Sequence, residues 1–113
     1  MPATQKAHLQ VDQGSTFNAQ IDLQSYMGVM FDLQNMTIEA TMKKSYQSLV
    51  EYPFETSVVD SANGSFLISM HYNDTALIDA GRYVYDIVIT SPTDERFRVI
   101  EGVVTVRPGV TTL

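Results

Sequence analysis

Two histidines, His8 and His71, and thirteen carboxylates are the side chains of this 113-residue chain best suited to hold a metal or move a proton. The histidines fall on separate predicted strands, and neither has a partner at the spacing a zinc site uses. They are read as strand-surface or edge residues, so no metal and no cofactor is expected. Cysteine is absent, which excludes thiolate nucleophiles, disulfides and Cys-based zinc sites together. No Gly-x-Ser-x-Gly elbow, His-Glu-x-x-His pair or phosphate-cradling Gly-rich loop occurs, and the chain is read as a non-enzyme. Asp60-Ser61-Ala62-Asn63-Gly64 gathers oxygen atoms around a tight turn. It lacks the spaced acids and closing bidentate Glu of a calcium loop, and a hairpin accounts for the same residues. Asn35, Asn63 and Asn73 open Asn-x-Ser/Thr triplets, which carry no glycan without a secretory route.

Recognition chemistry is better represented. Tyr46, Leu49, Val50, Tyr52 and Phe54 crowd a segment interrupted by Pro53. Proline cannot donate to a sheet ladder, so the segment is placed at an edge or in a loop. Tyr46, Tyr52 and Phe54 are the candidate partner contacts. Tyr52 between Glu51 and Glu55 is also the one local arrangement suited to a sugar ring. Tyr26, Met27, Val29, Met30 and Phe31 form an unpatterned apolar run, either a strand buried on both faces or a surface turned to a partner.

The elements that must position these groups have a period of two. Phe17, Ala19, Ile21 and Leu23 alternate with polar residues, as do Ile38, Ala40 and Met42, and Tyr83, Tyr85, Ile87 and Ile89. Ser65–Tyr72 and Arg96–Arg107 complete the set, the latter with Phe97 and Val99 out of phase with Val104 and Val106. A bulge near Glu101-Gly102 is expected to reset that register. Asp12–Ser15, Asn63-Gly64 and Ser91–Asp94 supply turns, with Asn63-Gly64 read as a two-residue hairpin connector. Residues 73–81 fit at most a short helical turn near 74–80. The sequence therefore predicts one all-β domain over 1–113, an antiparallel sandwich of seven or eight strands with short loose ends.

Composition narrows the partners. Seven Lys and Arg against thirteen Asp and Glu give a net charge of −6, and the only adjacent basic pair is Lys43-Lys44. Phosphate backbones are held by clustered cations, so nucleic acid is excluded as a partner. No apolar run approaches the roughly 18 residues of a membrane span. The N-terminus lacks the apolar stretch of a signal peptide, which predicts synthesis and use without secretion.

Asp79-Ala80-Gly81-Arg82-Tyr83 resembles the tyrosine corner of immunoglobulin-like sandwiches, with Tyr85 where antibody domains carry Cys. Gly81, Tyr83 and Tyr85 are thus the expected structural corner. Gly14-Ser15-Thr16-Phe17, the run Asp32–Lys44, and above all Ala80–Ile87 with Glu101–Val106 and Arg107-Pro108-Gly109-Val110-Thr111 resemble the small Ig-like domains of tailed-phage virion proteins. The nearest type is the N-terminal domain of baseplate upper proteins. Glu95 replaces the Gly of that family's Pro-x-Asp-Gly turn. The resemblance implies a virion structural protein, a connector in the tail, baseplate or fibre-attachment region. Its partners would be other phage virion proteins, in multiple copies within a symmetric assembly. The alternatives are a head decoration or cement protein on the capsid and a carbohydrate-binding adsorption module.

Overall fold

The computed structural model describes residues 5–23 and 32–111; the Tyr26–Phe31 run lies outside them. Eight strands occur in the order β1 (Gln5–Lys6), β2 (Leu9–Asp12), β3 (Phe17–Asp22), β4 (Thr37–Lys43), β5 (Tyr52–Asp60), β6 (Ser65–Met70), β7 (Gly81–Thr90) and β8 (Arg96–Arg107). A single helical turn, α1 (Tyr72–Thr75), links β6 to β7. The strands form one curled sheet ordered β1-β8-β7-β4-β5-β6-β3, with β2 also on β8. The curl makes an Ig-like sandwich, in which β4, β7 and β8 build one layer and β3, β6 and the second half of β5 build the other.

Alternation explains the layers. Ile38, Ala40 and Met42 of β4 and Tyr83, Tyr85, Ile87 and Ile89 of β7 point inward. They share the core with Ile21, Phe66, Ile68 and Met70 of the opposite layer. Burying such side chains is worth about 1.5–3 kcal/mol each, the main force holding the layers together. Glu39, Thr41 and Lys43 face outward on β4, as do Val84, Asp86 and Val88 on β7.

Several local expectations are revised. The bulge in β8 lies at Val99, since Ile87 pairs with Ile100 while Val88 pairs with Arg98. Val99 and Ile100 are both fully buried, and the extra residue lets two consecutive apolar side chains serve the core. The β5–β6 connection uses four residues, 61–64, because only Gly64 has positive φ whereas a two-residue type I′ turn needs two such residues. Asn63 instead donates to the Asp60 carboxylate at 2.7 Å. Helix α1 is shorter than expected and is capped by His71, whose Nδ1 accepts from the Asn73 amide.

Pro53 is not in a loop. It sits inside β5, paired with Thr41 of β4. The strand exchanges neighbours around it: Tyr52–Phe54 pairs with β4, and Glu55–Asp60 pairs with β6. The missing N–H therefore falls where β5 has one ladder partner and not two. The first and last described strands are joined as well. β1 and β2 run parallel to β8, the departure from an otherwise antiparallel sheet. Beyond β8, the Gly109 amide donates to Gln13 Oε1 at 3.0 Å.

Candidate functional site

The corner residues meet in one cluster. Tyr83 is buried, and its hydroxyl donates to the Asp79 carbonyl at 2.7 Å. Gly81 has φ of 144°, a conformation that side chains rarely adopt. The Lys44 ammonium occupies the space beside it, 4.7 Å from the centre of the Tyr83 ring. Burial pushes the Tyr83 phenol above its ordinary value, helped by the nearby Tyr52 and Asp79 charges. Tyr85 is buried at the core centre and donates to the Ala7 carbonyl at 2.6 Å. That bond fastens the N-terminal strand to the sandwich.

Of the three contact candidates, Tyr46 is the most exposed. Phe54 is a core residue at 6% exposure, its ring centre 5.5 Å from that of Phe17. It is the one fully inward position of β5. Tyr52 is half-buried, packs edge-on against Tyr83 with ring centres 5.9 Å apart, and lines a small pocket with Pro53, Met70 and Leu77. Glu51 beside it turns to Lys43 at 3.4 Å. Tyr46 is 59% exposed in the β4–β5 connection, which also holds out Leu49 at 97% and Val50 at 58%.

Next to this loop, the outward face of β4, β7 and β8 forms a groove of about 380 Å³. It is lined by Thr41, Val84 and Val88 of the strands and by Tyr46 of the loop. Ion pairs cross it: Arg98 reaches Asp86 at 3.1 Å and Glu101 at 3.4 Å, and Arg96 lies 3.8 Å from Glu39. The whole arrangement was invisible at the level of sequence, because it needs the register of three strands distant in the chain. Period-two alternation in β4 and β7 was the only available signal.

His8 and His71 do not converge. His8, between β1 and β2, accepts the Val103 amide of β8 on its Nδ1 at 3.2 Å, while His71 caps α1. Among the described residues, no group of three or more His, Asp or Glu side chains is placed to hold a metal ion. At one end of the sandwich Arg107 grips Asp12 with two hydrogen bonds of 2.6 and 3.1 Å. That hydrogen bonding holds the Asp12 carboxyl below its ordinary value and raises the Arg107 guanidinium. Gln13 extends the same joint by donating to the Ile78 carbonyl at 2.7 Å.

No family model and no curated protein matches the chain. Among solved structures, an internalin-like protein of Listeria monocytogenes matches 92% of the chain at 16% identity with a TM-score of 0.46. The chain spans only 28% of that protein's length. CopC from Methylosinus trichosporium OB3b matches 97% of the chain and 91% of its own, at 12% identity and a TM-score of 0.48. Likenesses at this level carry no statement about what the chain binds.

Proposed function

We propose that the chain is a non-catalytic structural connector of a tailed-phage virion, docking to neighbouring virion proteins through its β4–β5 connection. The observation that carries the docking surface is the trio Tyr46, Leu49 and Val50, three large apolar side chains held out to solvent by one short loop on a rigid sheet. Grouped exposed apolar side chains are the feature that distinguishes contact surfaces from the scattered ones every protein has. The virion assignment rests on the resemblance of Ala80–Ile87 and Glu101–Thr111 to phage Ig-like modules. Many copies on a symmetric particle would convert a small patch into firm attachment through effective concentration.

Immunogold labelling of particles of the encoding phage, with antibody to the purified chain, tests this reading. Label at one fixed position on the tail or baseplate supports a connector. Label spread over the head indicates capsid decoration instead, and unlabelled particles reject the virion reading. Leu49→Asp should abolish incorporation into particles while leaving the melting temperature unchanged.

A further inference from the structure

The groove on the outward face of β4, β7 and β8 is electrically balanced. Carboxylates Glu39, Glu51 and Asp86 line it against Lys43, Arg96 and Arg98, three against three, in a chain whose net charge is −6. Three of the seven basic residues are thus gathered at one site. An anionic ligand would need surplus cations there, and a metal or polyamine would need surplus carboxylates. An apolar ligand would need dry walls, and these walls are charged.

We infer that this groove binds a neutral glycan, beyond the docking role of the adjoining loop. A sugar hydroxyl is both donor and acceptor, so it can donate to a carboxylate while accepting from a neighbouring guanidinium or ammonium. The groove presents the two kinds of group side by side, at Lys43–Glu51, Arg96–Glu39 and Arg98–Asp86. A carboxylate offers about four acceptor positions, so one ion pair leaves it capacity for ligand. Pairing also holds these long side chains in place before the ligand arrives, which reduces the ordering cost of binding. Tyr46 in the lining adds an aromatic face with a polar tip, suited to the apolar face of a pyranose ring and its hydroxyl edge.

The test is amide-resolved NMR titration of the full chain with soluble malto-, cello-, manno- and galacto-oligosaccharides at millimolar concentration. At least one series should shift the amides of Thr41, Tyr46, Val84 and Asp86 in a saturable way. Tyr46→Ala and Asp86→Asn should each weaken that binding about tenfold or more, which corresponds to roughly 1.4 kcal/mol. Both side chains lie on the surface, and unchanged amide spectra of the free variants verify their fold. Silence with all four series overturns the inference, as do shifts that survive both substitutions. Stronger shifts with glucose 6-phosphate or spermidine would overturn the neutral class. Leu49 does not line the groove and Asp86 is not in the docking trio, so Leu49→Asp and Asp86→Asn separate particle docking from sugar binding.

Discussion

Tyr83 sustains two demands that pull against each other: its ring is buried, yet its hydroxyl must find a partner. The Asp79 carbonyl satisfies that need at 2.7 Å. Replacing Tyr83 with Phe removes the donor and should cost about 1 kcal/mol, read as a lower denaturation midpoint in urea; coincident curves would show that the bond adds nothing. The raised phenol also makes an alkaline prediction. Its contribution is complete below the ordinary tyrosine value of 10.0 and is lost as pH climbs through the raised one. Between those two values wild type should therefore lose stability with rising pH more steeply than Tyr83→Phe. The Asp12–Arg107 pair works with the opposite sign. Asp12 titrates below 3.8, so its contribution is full above that value and disappears as pH falls through the lowered one. Arg107→Gln should flatten this part of the acid limb in melts recorded against pH. Gly81→Ala, forced to keep φ of 144°, should cost about 1–3 kcal/mol through backbone strain.

At the scale of elements, the parts legible in the sequence are those whose pattern is local. β4, β6 and β7 follow their alternation closely, and the Asp79–Tyr83 corner is readable because its donor and acceptor are four residues apart. β5 was obscured because one strand serves two neighbours, so its inward and outward residues do not alternate along its length: Phe54 is buried and every residue from Glu55 to Asp60 is exposed. The groove joins residues from Glu39 to Arg98, and the parallel pairing of β1 and β2 joins residues nearly a whole chain apart, neither of which a local pattern encodes. Gly102 illustrates the difference. Its apparent role was to bend β8, but a Cβ there would collide with the Ala7 carbonyl oxygen that the Tyr85 hydroxyl holds. Gly102→Ala should displace β1, speeding hydrogen exchange at the Ala7 amide, which now donates to the Glu101 carbonyl at 3.0 Å. The expected cost is about 1–3 kcal/mol, typical of overpacking.

At the scale of the whole molecule, the first and last strands in sequence are direct neighbours. Gln5 pairs with Ile100 and Asp12 with Arg107, so the start of the chain has nowhere to dock until the final strand exists. Val11, fully buried against that late partner, stays wet in the meantime. During synthesis, at roughly 5–20 residues per second, the opening segment must wait several seconds for its seat. A nascent chain stalled with β8 still inside the ribosome would remain open to proteolysis at its N-terminus, and closure would follow only on release. The parallel edge thus acts as a timer, making the emergence of β8 the event that seals the sandwich.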